Sequence, residues 1–268
     1  MLVFHLTKDI KMAPQSKCSH FEAPFLYLLL GEKRALLLDT GAKSKQGEFS
    51  PYKLVSQLVE QHKATNGITE YSLIVSHSHS HSDHYGGDEQ FKSQTGVEFI
   101  APNSEAVEDF FKFGKVENAQ SMLDLGKRKL TVMHIPGHQD DSIAIYDPQT
   151  KWLLTGDSVY PGRLYIRHWA TFKHSIARLS AFTDTHDVSA VMGTHIEMSA
   201  TPGQDYPMGA TYQPNETPLP LSVKDLKELN NALTSLKDEP TRQVLDKVII
   251  YPVGEPNVIQ RVLAWFVN

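Results

Sequence analysis

The chain has 268 residues, 40% of them hydrophobic, enough for one large domain or two small ones around a sizeable core. Its 26 Lys and Arg against 31 Asp and Glu give a formal charge of −5, which argues against a broad nucleic-acid-binding face. The single cysteine, Cys18, excludes an intrachain disulfide and any zinc site built from several thiolates, and no run approaches the ~20 apolar residues that span a bilayer.

In chain order, an apolar run over residues 24–30 halts at Gly31-Glu32-Lys33-Arg34 and resumes over 35–39, closing on Asp39-Thr40-Gly41. Two such runs across a short polar turn predict a β-hairpin. Ser50-Pro51 offers a helix cap and first position, and Leu54, Val55, Leu58 and Val59 recur at helical spacing up to Gly67. A short buried strand is expected over 71–76, then a histidine-rich loop, then Gly86-Gly87 leading into a helix through Phe91. Residues 97–101 read as another strand, and Asn103 caps a helix carrying Val107, Phe110 and Phe111 on its apolar side. The middle changes character, because strand-like runs at 129–135, 142–146 and 152–155 are separated by Pro136-Gly137 and Asp147-Pro148 turns, the pattern of an antiparallel meander. A helix over about 171–185, a strand over 188–192, a loop rich in Pro, Gly and Tyr over 201–220 and a helix over 223–236 follow, and the terminal segment has no assignable pattern. The expected organisation is a core over residues 1–200 with a C-terminal loop, helix and strand appendage over 201–268 packed on it. With no basic region and long apolar stretch at the start, no secretory leader is read; the expected location is cytoplasmic, with a periplasmic or secreted one open if a leader was removed before Met1.

Histidine is the informative residue type. Of the 13, five fall between His62 and His84, and four of those lie within eight residues. His79 and His81 are two apart, so in extended chain both leave one face and can grip one ion, while Asp83 and His84 follow as the chain turns and can point at a second site beside it. A solvated His/Ser-rich loop is the plain alternative, and the placement after a buried strand and before Gly86-Gly87 disfavours it.

The string His79-x-His81-x-Asp83-His84-x-Gly86-Gly87 resembles the signature of the metallo-β-lactamase superfamily. Pro136-Gly137-His138, Thr155-Gly156-Asp157 and Gly193-Thr194-His195 resemble that family's later blocks in order, and Asp39-Thr40-Gly41 its early strand-end motif, so the resemblance spans about residues 24–200. It implies an α/β fold, a four-layer αβ/βα sandwich with two mixed β-sheets. It also implies that His79, His81 and His138 hold one metal, that Asp83, His84 and His195 hold a second, and that Asp157 bridges them. Read without the family, each of the three late residues lies at the end of a strand-like run beside a glycine that permits close approach.

Two ions ~3.5–4 Å apart lower the pKa of a shared water, so that hydroxide is available near pH 7, and polarise a carbonyl or phosphoryl oxygen. Asp83 is the catalytic candidate, orienting that hydroxide and handling its proton. Two Zn2+ per chain are expected from a set of imidazoles and carboxylates, with Fe or Mn as alternatives. His77 and His134 read as residues supporting the ligands or closing strands, and His5, His20, His62, His174 and His186 as ordinary surface or helix residues. The segment following the bridging Asp should hang over the metals, making Tyr160, Arg163, Tyr165 and His168 candidates for substrate contact, with Tyr206, Met208 and Tyr212 as a further wall.

An aspartate at position 157 departs from the true β-lactamases and makes the chain look more like the branch holding glyoxalase II, lactonases and phosphodiesterases. The expected activity is hydrolysis of a small ester, thioester or lactone; a phosphodiesterase of the same fold and an iron-dependent sulfur dioxygenase or oxidoreductase are the alternatives. The expected partner is a small-molecule substrate, with neither nucleic acid nor membrane, and oligomeric state has no sequence signature.

Overall fold

The computed structural model describes residues 4–7, 10–43, 50–114 and 119–254. It opens with strands β1 (Phe4–Thr7), β2 (Ile10–Pro14), β3 (Phe25–Leu30) and β4 (Arg34–Leu38), then helix α1 (Pro51–Asn66) and strand β5 (Ser72–Ser76). The short helix α2 (Ser82–Tyr85), a 3-10 turn at Asp88–Gln90, strand β6 (Val97–Phe99) and helix α3 (Ser104–Phe111) complete the first half. The second half runs through β7 (Gln120–Asp124), β8 (Lys129–His134), β9 (Ile143–Asp147), β10 (Trp152–Gly156), β11 (Arg163–Ile166), helix α4 (Trp169–Thr185) and β12 (Ala190–Gly193). Strand β13 (Pro220–Leu221), helix α5 (Val223–Ser235), β14 (Gln243–Val244) and β15 (Ile249–Pro252) close it.

The strands form two six-stranded mixed sheets, in the orders β1-β2-β3-β4-β5-β6 and β13-β12-β10-β9-β8-β7, and a small third sheet β11-β15-β14. In the first sheet β4, β5 and β6 run parallel, and α1 makes the crossover between β4 and β5. In the second, β7 to β10 are the antiparallel meander that the turns predict, and β12 returns parallel to β10 through α4. Alternation of side chains then sorts the core into three layers of contact. Leu29, Leu36, Leu38 and Ile74 meet Leu130, Val132, Ile145 and Leu154 between the sheets. Leu28, Leu37 and Val75 pack outward with Val55 of α1, and Ala144, Leu153 and Val191 pack outward with Ile176 and Leu179 of α4 and Leu229 and Leu233 of α5. The result is the α/β, four-layer sandwich expected from the sequence.

Local chemistry explains the helix ends. Ser50 accepts from Lys53 N with Pro51 at the first helical position, and Gly67 closes α1 in the left-handed region at φ 65°. Asn103 caps α3, and Ser222 with Asp225 forms a reciprocal capping box on α5. Beside the two-residue strand β13, which falls where a loop was read, five elements depart from the sequence reading. Strands β1, β2, β7 and β11 were not expected, and the helix expected after Gly86-Gly87 is instead α2 before the glycines and a 3-10 turn after them. The glycines serve close approach: a Cβ on Gly86 would lie 2.3 Å from Lys43 N, so only glycine lets the loop after β4 reach α2.

The two sheets are tied at both ends. At one end Tyr27 Oη donates to Gly193 O at 2.5 Å, Phe25 N to Thr194 O, and Ile143 N to Ser78 O. At the other, the fully buried Arg128 donates through Nη2 to Asp147 Oδ2 at 2.6 Å and through Nη1 to Leu30 O at 2.9 Å. Among the described residues no helix is long and apolar enough to cross a membrane.

Candidate metal centre

The site lies along one rim, where β5, β8, β10 and β12 end. Backbone and side chain act together there. After Ser76 the chain bends through Ser78, His79 and Ser80, and His81 is the residue at which α2 begins, with φ −88° and ψ 146°. Asp83 and His84 therefore sit in the first turn of a helix and face a different direction from the two histidines before them. His138, Asp157 and His195 arrive on the loops after β8, β10 and β12. Gly156, at φ 54°, bends the chain so closely past the histidine loop that a Cβ there would lie 2.7 Å from Ser78 Cβ.

All seven residues implied by the resemblance come together, in two groups: His79, His81, His138 and Asp157, and Asp83, His84, Asp157 and His195. Within the first, His79 Nε2 is 3.0 Å from His81 Nδ1, and His138 Nε2 is 3.2 and 3.1 Å from those atoms. Within the second, Asp83 Oδ2 lies 3.1 Å from His84 Nε2 and 3.2 Å from His195 Nε2. Asp157 divides its oxygens: Oδ2 is 3.7 Å from both His79 Nε2 and His138 Nε2, and Oδ1 is 3.5 and 3.3 Å from His84 Nε2 and His195 Nε2. Thr194 Oγ1 donates to Asp157 Oδ1 and fixes the carboxylate plane.

The outward ring nitrogens are already engaged. His138 Nδ1 donates to Tyr165 O at 2.7 Å, His195 Nδ1 to Glu22 O at 2.8 Å and His84 Nδ1 to Asp39 Oδ2 at 3.0 Å. In a neutral ring a proton held on Nδ1 leaves a lone pair on Nε2, so the site is a set of acceptors that only protons or cations can hold together. Such an arrangement fits cations. Metal–nitrogen bonds of roughly 2.0–2.1 Å place tetrahedral ligand atoms about 3.3 Å apart, close to the spacings here. The donor set, five imidazoles and two carboxylates without sulfur, suits divalent ions of intermediate hardness.

Electrostatics agree with this. Burial holds His79 and His138 below the usual histidine range and takes His81 down to about 4, so the first group presents neutral rings. In the second group burial opposes charge on His84 and His195, yet the carboxylates of Asp83 and Asp157 outweigh it and raise both. The same pairing holds Asp83 and Asp157 well below the ordinary carboxylate range despite their burial. Protons there occupy the place of a cation, and metal binding would release them.

Asp39 supports the set from below. Fully buried at φ 70°, it accepts from Ser78 N at 2.7 Å, Ser78 Oγ at 2.9 Å and the His84 ring. His77 is not a ligand in either group; its Nε2 meets Asp88 Oδ1 at 2.9 Å, and Asp88 in turn accepts from Thr40 Oγ1. His134 Nε2 meets Asp140 O.

A cavity of about 270 Å3 opens over the groups, lined by His81, Asp83, His138, Asp157 and His195. Tyr160 and Arg163 form its wall but are tied inward: Tyr160 Oη donates to Arg163 O and Glu197 Oε2, and Arg163 pairs with Glu197 and Asp205. Tyr165 and Met208 line the cavity, whereas His168 lies outside it, 3.1 Å from Asp140, at the start of α4. Tyr206 receives Arg163 through its carbonyl, and Tyr212 is largely exposed and outside the lining. Sequence reasoning missed Glu22, whose carboxyl is pushed up to about 7 by burial and by Asp83, and the apolar Phe21 and Ile196 beside it. Only their place before β3 and after His195 could have pointed to them.

Comparison with known proteins places this geometry. Residues 22–190 match the family model of the metallo-beta-lactamase superfamily. The chain is 27% identical over 168 residues to acyl-coenzyme A thioesterase MBLAC2 of Homo sapiens, covering 52% of this chain and 59% of the relative. It is 32% identical over 107 residues to hydroxyacylglutathione hydrolase of Brucella ovis, covering 39% of this chain and 41% of the relative. The chain thus spans less than two thirds of either relative's length. Among solved structures, a metallo-beta-lactamase from Pontibacter korlensis superposes with a TM-score of 0.55 at 16% identity, covering 87% of this chain and 98% of that one. With the family model spanning most of the chain and both ligand groups assembled, the chain belongs to the metallo-beta-lactamase superfamily.

Proposed function

We propose that the protein is a dinuclear zinc hydrolase that cleaves a small ester, thioester or lactone, with the thioester favoured. The observation that carries this is the division of Asp157 between two adjacent, complete ligand groups beneath an open cavity. The thioesterase and the hydroxyacylglutathione hydrolase among its relatives support acyl chemistry within that class. Divalent ions bound there supply acidification of water and polarisation of the acyl oxygen. Asp83 faces the cavity as a carboxylate, because His84 and His195 hold its proton affinity down. It takes the proton of the attacking water and returns it to the leaving thiol or alcohol as the acyl carbon–heteroatom bond breaks. The apolar Phe21, Ile196 and Met208 exclude water beside the reacting centre and offer contact to an acyl group.

The test is a panel of a thioester, a lactone, bis-p-nitrophenyl phosphate and a cephalosporin, run with protein whose metal content is measured without chelators. Two zinc per chain with fastest turnover on the thioester or lactone is expected. Fast cephalosporin or phosphodiester turnover would overturn the substrate class, and iron with oxygen uptake would overturn hydrolysis.

A further inference from the structure

A second space adjoins the site on the far side of His81 and His138. It is an open groove of about 460 Å3, lined by His81, His138, Gln139, Tyr165, Arg167 and the chain at Val253-Gly254. Its charge differs from that of the first cavity, which carries four carboxylates, Glu22, Asp83, Asp157 and Glu197, beside Lys17 and Arg163. The groove lining holds one guanidinium and no carboxylate.

Arg167 is underused in a way the other inward guanidiniums are not. Arg128 is matched by Asp147, and Arg163 by Glu197 and Asp205. The side chain of Arg167 makes one hydrogen bond among the described residues, Nη1 to Gln139 Oε1 at 2.9 Å, and its buried Nε has no partner. A half-buried guanidinium without an anion is costly, and its planar fork suits a carboxylate or phosphate.

Gln139 links this cation to the metal set. Its Nε2 contacts His81 Nε2, the ring nitrogen turned away from the other ligands. With an ion on His81 Nδ1, the ring proton resides on Nε2, and Gln139 must offer its oxygen there in place of its nitrogen. The amide oxygen then leaves Arg167, and the guanidinium has no side-chain acceptor among the described residues. Metal loading would thereby free the guanidinium that lines the groove.

We infer that Arg167 and this groove bind an oxyanion carried by the substrate, so that the protein acts on acyl compounds bearing a carboxylate or phosphate beyond the scissile bond. This rests on the hydrolase reading for the word substrate, while the anion site stands on the groove itself. Binding separates the two. S-benzyl-3-mercaptopropionate, its primary amide and S-benzyl-2-mercaptoethyl phosphate, none of which can be hydrolysed at sulfur, are titrated by calorimetry into the protein as purified with its metal. An anionic thioether is expected to bind about 10- to 100-fold more tightly than the amide, the range for a hydrogen bond to a charged group. Preference for phosphate over carboxylate, or the reverse, names the source of the anion. Arg167→Gln should bind all three about as weakly as the parent binds the amide, with metal content and melting temperature unchanged, and Arg167→Lys should keep part of the preference. No anion preference in the parent, or a preference that survives in Arg167→Gln because the anion sits on the metals, would overturn the assignment. Thioesters of the same thiols are assayed in parallel: no turnover with the binding preference intact refutes the hydrolase reading alone, and turnover with no anion preference refutes the groove alone.

Discussion

The substitution Asp39→Asn tests whether ligand geometry is set from outside the ligand set. Asp39 receives three donors: Ser78 N on Oδ1, and Ser78 Oγ and His84 Nδ1 on Oδ2. An amide of the same shape has one oxygen for two places. If its NH2 takes the Oδ1 place it faces Ser78 N–H, and if it takes the Oδ2 place it faces the His84 ring proton; the serine hydroxyl can rotate, but neither of the other donors can. One buried donor is orphaned either way, at a cost of about 1–3 kcal/mol. Loss of a hydrogen-bonding partner of a ligating histidine lowers metal affinity by about 10- to 100-fold, an energy of the same size. Competition with a chromophoric chelator for the metal-free protein should show the weakening chiefly in the group of Asp83, His84, Asp157 and His195, and denaturant unfolding should show the lost stability. Affinities within about twofold of the parent at both groups, or a loss confined to the His79, His81 and His138 group, would refute the argument.

Three further outcomes are expected. Arg128→Ala strands Asp147 in the core and should cost about 3–5 kcal/mol in urea unfolding while leaving metal content intact. Burial alone would raise Asp147, but the Arg128 guanidinium holds its carboxyl below the ordinary 3.8, so the stability this pair gives is present above that value and is lost as the pH falls through the lowered one. An acid titration of stability in Arg128→Ala should therefore be flatter there than in the parent. Gly156→Ala places a Cβ 2.7 Å from Ser78 Cβ at φ 54° and should cost about 2–5 kcal/mol from overlap and left-handed strain, with metal occupancy falling alongside. Asp83→Asn should lower kcat by about 10²- to 10⁴-fold while the His79, His81 and His138 group keeps its ion, read by metal analysis beside the rate.

What was legible in the sequence was local. Ser50-Pro51 and Gly67 announce α1 because caps act on their own neighbours, and the run from His79 to His84 announces ligands because spacing alone puts them on adjoining faces. What was not legible depends on partners far away in sequence. Arg163–Ile166 reads as a loop, yet β15, more than eighty residues later, makes it a strand. Gln120–Asp124 shows little apolar alternation and becomes a strand only at the edge beside β8. The same holds in the site: that His168 points to Asp140 while Arg167 lines a groove depends on how β11 feeds α4, and no motif encodes it.

The ligand set is split between the sheets. His79, His81, Asp83 and His84 follow a strand of the first, and His138, Asp157 and His195 follow strands of the second, so each group takes ligands from both. Neither half of the sandwich owns a complete binding site. An ion bound there would be a rivet through two plates: it would favour the closed stack over any partly parted one, and its loading would be felt as mechanical resistance along the whole rim. At the opposite rim Arg128, held in place by Asp147, closes the stack through its bond to Leu30 O without any metal. Chelation should consequently let the molecule gape from the metal end alone, like a book held at its spine.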